Sequence, residues 1–255
     1  MQKLNNAGTI LMEDTMENCR HKIAVDGFAI IDDFFDEDKV ASIAGVIANA
    51  CKQGSPFRQT GDLYAVRQVL QEVPGLSNII FTTAFTTLIH RIFGEDYFVV
   101  RSIYFNKPGL SNWFVAYHQD LSISVNGQYK MHGFKNWTNK QGQWAVQPPA
   151  EILENMFTIR IHLDDTDEYN GALKVIPGSH KTGMRSRLPV DKGDETICRV
   201  AKGGIMLMKP LLLHSSAKTT NNQSRRVIHV EFSNRQLPAP LAWREAMQLP
   251  AGSFL

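Results

Sequence analysis

In the segment FTIRIHL, residues 157–163, apolar and polar side chains alternate without a break. Phe157, Ile159, Ile161 and Leu163 fall on one side, Thr158, Arg160 and His162 on the other. A period of two belongs to an extended strand, because a helix would scatter both sets around its axis. The apolar side must lie against other apolar matter, while the opposite side carries a guanidinium and an imidazole. The pattern returns in residues 227–232, where Ile228, Val230 and Phe232 oppose Val227 and His229. Two such strands ask for an antiparallel sandwich or barrel. Its outer faces are covered, and its polar faces turn into a shared interior where a site can be built.

The cover is legible upstream. Asp36, Glu37 and Asp38 make an acidic helix start, and Val40, Ile43, Ile47 and Ala50 recur at helical spacing up to Gly54. After Pro74 and Gly75, Ser77 is placed to cap a second helix. Phe81, Phe85, Leu88, Ile89 and Ile92 share one of its faces, and Gly94 ends it. From residue 97 onward short β-rich runs take over, and strands are expected at 97–106, 115–125, 157–163, 173–176, 205–215 and 227–232. Asn170-Gly171 reads as a hairpin turn, and Pro177-Gly178 and Gly203-Gly204 as turn formers. The fold class expected is mainly β with flanking helices. Residues 126–150 show little periodicity but carry Trp137 and Trp144. Such a stretch is either a lid over a ligand or a structural Ω-loop, and its tryptophans argue against disorder.

Composition removes several classes of function. The 27 basic and 25 acidic residues give a net charge of +2 without long like-charge blocks, so the footprint of a nucleic-acid binder is missing. No stretch approaches the ~20 apolar residues that span a bilayer, and no secretory signal is read at the N-terminus. Cys19, Cys51 and Cys198 are an odd number and widely spaced, which fits a reducing, cytoplasmic setting better than a disulfide framework or a metal knuckle. A small-molecule partner is expected; oligomeric state is not readable.

The chemistry centres on AYHQDLSISV. On a strand, positions i and i+2 point the same way, so His118 and Asp120 converge while Gln119 turns away. A third ligand is offered by His214, at the end of the buried-looking run IMLMKPLLLHSS, which an eight-stranded barrel lays opposite the first. Two histidines and a carboxylate form the facial set that leaves metal positions open for substrate and dioxygen in non-haem iron(II) enzymes. His-x-Asp also occurs by chance, and a histidine in an apolar run is commonly a satisfied core residue. Arg225, eleven residues past His214, strengthens the metal reading: its planar fork suits a carboxylate, and buried near a metal it needs an acidic partner. The competing reading makes Arg225 and Arg226 a surface pair bonded to Glu231 or Asp165. Arg160, on the inner face, either binds an acidic substrate group or forms an internal salt bridge with an acid such as Asp164. His180 reads as part of a turn, His132 as a solvated loop residue, and His21, His90 and His229 belong to no constellation.

The run HQD at 118–120, then NGALKVIPGSHKTG at 170–183, then PLLLHSSAKTTNNQSRRVIHVEFS at 210–233 resembles the phytanoyl-CoA dioxygenase family over roughly residues 99–233. The resemblance implies a double-stranded β-helix, the cupin-like jelly roll, in one domain over 1–255, with helices in 1–95 packed on a core at 96–235 and a lid at 126–150. It implies iron(II) on His118, Asp120 and His214, and 2-oxoglutarate held through its distal carboxylate by Arg225 and Ser216, with Asn106 of YFNKPG nearby. Trp137, Trp144 and Arg160 are the substrate-side candidates. The implied reaction uses O2 and releases succinate and CO2 while oxidising a small organic molecule. Halogenating relatives lack the carboxylate ligand, so Asp120 favours hydroxylation. Other classes the sequence leaves open are a non-catalytic jelly-roll binding protein and a cupin-type metal-dependent isomerase or hydrolase. Nothing in it points to a fatty acyl-CoA.

Overall fold

The computed structural model describes residues 6–52, 58–60, 63–140, 142–185 and 193–250. Its helices are α1 (Asn6–Val25), α2 (Glu37–Lys52), α3 (Val69–Glu72), α4 (Leu76–Ile80), α5 (Thr83–Phe93) and α6 (Ala150–Glu154). Its strands are β1 (Phe28–Ile31), β2 (Arg58–Thr60), β3 (Leu63–Arg67), β4 (Phe98–Lys107), β5 (Val115–His118), β6 (Ile123–Val125), β7 (Lys135–Lys140), β8 (Gln143–Gln147), β9 (Met156–His162), β10 (Leu173–Val175), β11 (Thr196–Cys198), β12 (Ile205–Met208), β13 (His214–Ser216), β14 (Arg225–Ser233) and β15 (Met247–Gln248).

An eight-stranded antiparallel sheet runs β1-β12-β9-β14-β4-β3-β2, with β15 added to β4; a four-stranded sheet runs β11-β10-β13-β5. The chain crosses between these two walls, from β9 to β10 and from β12 to β13, which makes them the two sheets of a jelly roll. A third sheet, β6-β8-β7, stands beside them.

The alternation in FTIRIHL decides which face of the large sheet is dry. Phe157, Ile159, Ile161 and Leu163, with Ile228, Val230 and Phe232 of β14, join one core with Ile43 and Ile47 of α2 and Phe85, Leu88, Ile89 and Ile92 of α5. The ring of Phe157 lies flat between Phe93, at 3.5 Å between centroids, and Phe232, at 4.8 Å. Truncating Phe157 would cost about 3–5 kcal/mol, as for other fully buried aromatic rings. The opposite face carries Thr158, Arg160, His162 and His229, all buried in the interior of the roll.

Four expectations are revised. The second helix is two: Thr82, extended, caps α5 through its side chain, which accepts from the Phe85 N–H at 3.3 Å, and so separates it from α4. Residues 205–215 and 115–125 are each two strands in different sheets, because a jelly roll turns a corner between its walls. Asn170-Gly171 makes no hairpin, since β9 and β10 belong to opposite walls; the Asn170 side chain instead ties the crossing by accepting from Asp167 N (2.8 Å) and donating to Asp165 O (2.6 Å). Residues 126–150 include the hairpin β7–β8, whose largely exposed β7 hides its strand character behind a polar sequence.

Candidate metal and co-substrate site

β13 and β5 are antiparallel neighbours in which His214 and His118 are register partners, so both rings emerge on the same face, 4.2 Å apart at their centroids. The strands lie side by side, not across the barrel as the sequence suggested. Asp120 stands just beyond the end of β5 and completes the group: its Oδ1 is 3.8 Å from His118 Nε2 and its Oδ2 3.7 Å from His214 Nε2. The three ligand atoms all lie within 4.8 Å of one another. Bonds of about 2 Å to one ion place neighbouring ligand atoms about 3 Å apart, so a small contraction closes the set on a metal.

The backbone prepares both rings. His118 Nδ1–H donates to Ala116 O and His214 Nδ1–H to Leu212 O, each at 2.9 Å and each two residues back along the chain. That fixes the tautomer whose Nε2 lone pair faces Asp120. Burial pushes His214 down to about 4, against the pull of the Asp120 charge, so its imidazole is neutral at physiological pH. Burial alone would raise Asp120, but His214, His229, His118 and Arg101 outweigh it and hold the carboxyl below its usual range. Gln119 does turn away, and its side chain pins the ligand loop: it donates to Gly183 O (2.9 Å) and Leu211 O (2.7 Å) and accepts from Arg185 N (2.9 Å). Asp120 N–H donates to Pro210 O at 2.9 Å, tying the loop to the β12–β13 corner.

Arg225 is buried, at 3% exposure, so the surface-pair reading fails. Its neighbour Arg226 takes the acid, Asp164, with bonds of 2.6 and 2.9 Å. That leaves Arg160 without Asp164; it donates to His229 Nδ1 at 3.2 Å. Arg225 meets only the Gly171 carbonyl and, at 3.4 Å, Ser216 Oγ, and its Nε has no partner. Lys107, its register partner on β4, is fully buried and donates to the Ala217 carbonyl. A Cβ on Gly171, at φ +84°, would sit 2.8 Å from Lys107 Nζ and 3.5 Å from Ser216 Oγ. The glycine therefore keeps open the spot where both cations gather.

Asn106 is displaced from this group. The two-residue period that puts Lys107 beside Arg225 puts Asn106 beside Arg226, on the opposite face, in a cavity with Tyr64, Tyr104 and Ala48. Lys107, one position on, was missed because only the β4–β14 register reveals which residue of YFNKPG faces inward. Both Trp137 and Trp144 pack on the second core cluster, and Trp144 also lines a cavity with Arg101 and Ser122. His229 is no bystander either: its Nε2–H donates to Glu231 at 3.1 Å, and Glu231 accepts from Arg101 at 3.2 Å.

The residues fit an iron(II) ion and a dicarboxylate. An open facial set of two imidazoles and a carboxylate faces an interior with an unpartnered guanidinium nitrogen and a second buried cation. A jelly roll with such a set defines a class of non-haem metal oxygenases. The sequence matches the family model for phytanoyl-CoA dioxygenase (PhyH) over residues 23–227, and the chain belongs to that family. Membership carries the enzyme class: an iron- and 2-oxoglutarate-dependent dioxygenase, an oxidoreductase.

Solved structures share the fold. EctD from S. alaskensis superposes with a TM-score of 0.67 at 15% identity, covering 91% of this chain and 85% of that one; it has also been solved with Fe, and with 2-oxoglutarate and 5-hydroxyectoine. The non-heme alpha ketoglutarate dependent carbocyclase SnoK from nogalamycin biosynthesis gives 0.63 at 14% identity over 85% of this chain and 83% of that one. AviO1 from Streptomyces viridochromogenes Tue57 gives 0.62 at 19% identity over 88% and 96%. Among curated proteins none matches the sequence. No helix among the described residues is long and apolar enough to cross a membrane.

Proposed function

We propose that the chain acts as a single-domain dioxygenase that hydroxylates a small organic molecule, with His118, Asp120 and His214 as its iron ligands and Arg225, Ser216 and Lys107 as the seat of the distal carboxylate of 2-oxoglutarate. The observation that carries this reading is Arg225: a buried guanidinium, facing the same interior as the triad, with a spare Nε and no carboxylate partner. A charge so placed is costly unless a ligand pairs with it, and a metal-dependent isomerase or hydrolase would have no use for it.

Bound iron with 2-oxoglutarate and O2 supplies the oxidising step and releases succinate and CO2. The chain supplies orientation and exclusion of water. Ala116 and Leu212 carbonyls hold the imidazoles with Nε2 inward, and Gln119 fixes the loop that carries Asp120. Arg225 and Lys107, register partners on β14 and β4, would hold the distal carboxylate of 2-oxoglutarate and so orient it. Arg160 and His162 line the interior beside them, where His162 keeps a spare Nε2.

The test is anaerobic titration of the Fe(II)-loaded protein with 2-oxoglutarate, followed by the weak charge-transfer absorption near ~500 nm expected of chelation at open iron positions. The band should appear in the native protein and need far more 2-oxoglutarate in Arg225→Ala. Its absence at saturating co-substrate would replace the oxygenase reading with that of a binding protein.

A further inference from the structure

Between β4, the loop after Asp120 and the β7–β8 hairpin lies a cavity of about 90 Å³, room for one small polar group. Its walls include Arg101, Ser122 and Ser124, Lys140, Trp144 and Arg244. The cations among them have donors to spare. Arg101 uses Nη1 alone, for Glu231 at 3.2 Å and Ser122 O at 3.4 Å, which leaves Nε and Nη2 unengaged. Arg244 bonds Gln68 through Nε only, at 3.3 Å. Lys140 is exposed at the end of β7.

The one carboxylate in the wall does not balance them. Glu245 is buried and turned to Ser102, accepting from its N–H at 2.8 Å and from its hydroxyl at 2.7 Å. Burial also pushes it up to about 7, so it holds a proton for part of the time at neutral pH. The cavity adjoins the ligand loop: Ser122, whose carbonyl Arg101 holds at 3.4 Å, is two residues past Asp120. Cations with unused donors around a half-open polar space next to the ligand loop form a receptor for an oxyanion.

We propose that this cavity anchors the substrate, and that the substrate carries an anionic group, a carboxylate or a phosphate, held by Arg101 and Arg244 with Lys140 at the mouth. Trp144 closes the hairpin side, so the body of the substrate lies between the indole and the iron. The assignment rests on the oxygenase reading and names its substrate class: a small acid, not a neutral or purely hydrocarbon molecule.

The probe is sulfate, a tetrahedral oxyanion that competes weakly for iron. It is titrated at constant ionic strength into the Fe(II)- and 2-oxoglutarate-loaded protein under argon and followed by calorimetry, with dimethyl sulfone as the uncharged isostere. Sulfate should fill one saturable site, dimethyl sulfone none. Loss of one charge-assisted contact in Arg101→Gln or Arg244→Gln should weaken sulfate by about tenfold or more. Arg244 is exposed and outside the main core, so Arg244→Gln keeps the test alive should Arg101→Gln unfold through loss of the Glu231 pair. No saturation by roughly 50 mM, equal binding of dimethyl sulfone, or sulfate affinity unchanged in Arg244→Gln overturns the proposal. The charge-transfer band of Arg244→Gln with 2-oxoglutarate is recorded alongside; a normal band with failed sulfate binding removes only the subsite, whereas a missing band removes the oxygenase reading.

Discussion

Replacing Arg225 with Met separates a ligand-binding arginine from a structural one, because the two roles give stability changes of opposite sign. Met preserves most of the volume of a side chain that is 3% exposed. In the free protein the substitution removes a buried cation beside Lys107, a group that burial first and Arg160 next push down to about 9. Uncompensated, such a charge costs several kcal/mol, and exchange of buried ionic groups for well-packed apolar ones is often neutral or stabilising by about 1–4 kcal/mol. Against that gain, the Gly171 carbonyl loses its Arg225 donor, a cost of about 1–3 kcal/mol where no water replaces it. The Ser216 hydroxyl, which still reaches the same oxygen at 3.0 Å, softens that loss. Apo Arg225→Met should therefore unfold in urea with a stability between about zero and 2 kcal/mol above the native chain. Binding moves the other way. A guanidinium offers a carboxylate two charge-assisted bonds of about 1.5–3 kcal/mol each, and with Lys107 and Ser216 still in place a net loss of about 3 kcal/mol is reasonable. That is about a hundredfold in the dissociation constant of 2-oxoglutarate, read from the anaerobic charge-transfer titration. If the variant instead loses 2 kcal/mol or more of apo stability while the titration midpoint stays put, Arg225 is a structural residue and the interior is not a dicarboxylate site.

Three further outcomes follow from the same geometry. His214→Ala should reduce Fe(II) occupancy of anaerobically prepared protein, measured by metal analysis, by about a hundredfold or more, since even supporting partners of metal ligands are worth about 10–100-fold; unchanged occupancy would remove His214 from the metal site. Lys107 is pushed down to about 8 by burial and by Arg225. Its folded pKa thus lies below its unfolded value, the unfolded chain binds more protons between about 8 and 10.5, and apo stability should rise with pH across that window. Lys107→Met should flatten this rise in pH-dependent urea unfolding, and native 2-oxoglutarate affinity should fall as pH climbs past the same point; a slope common to both proteins would contradict the assignment. Trp144→Ala should change which compounds stimulate oxygen uptake yet leave the 2-oxoglutarate dissociation constant within about twofold, about 0.4 kcal/mol, because the indole lines the neighbouring cavity and not the Arg225 pocket.

What could be read from sequence divides by the range of the interaction. The inward and outward faces of β9 and β14 were legible because alternation is local and burial follows it. The convergence of His118 and Asp120 was legible for the same reason, although β5 ends at His118 and it is the Gln119 side chain that holds Asp120 in place. Pairing was not legible. That β13 lies beside β5, that Lys107 rather than Asn106 shares a face with Arg225, and that Arg226 rather than Arg160 takes Asp164 all depend on register between strands far apart in sequence. A shift of one residue between β4 and β14 would exchange Lys107 and Asn106. The hairpin β7–β8 escaped notice because KNWTNK is solvent-facing and gives no alternation to detect.

Register also explains why the interior is built with unbalanced charge. Strand geometry sends Lys107, Arg160 and Arg225 inward from three adjacent strands of one wall, and no carboxylate of the described residues pairs with any of them. Asp120 is engaged with the imidazoles, and Glu231 with Arg101 and His229. A chain selected only for stability would fill such positions with apolar side chains, as it does on the other face of the same strands. Retaining cations there lowers the stability of the free protein, and under the proposed function a dianionic co-substrate paired with Arg225 would recover that loss on binding. The apparent stability should then rise with co-substrate as RT ln(1 + [L]/Kd), about 2.7 kcal/mol at one hundred times Kd. On the proposed function, the binding site and the weak point of the fold would be the same place, because both would follow from three inward cations that no carboxylate of the described residues pairs with.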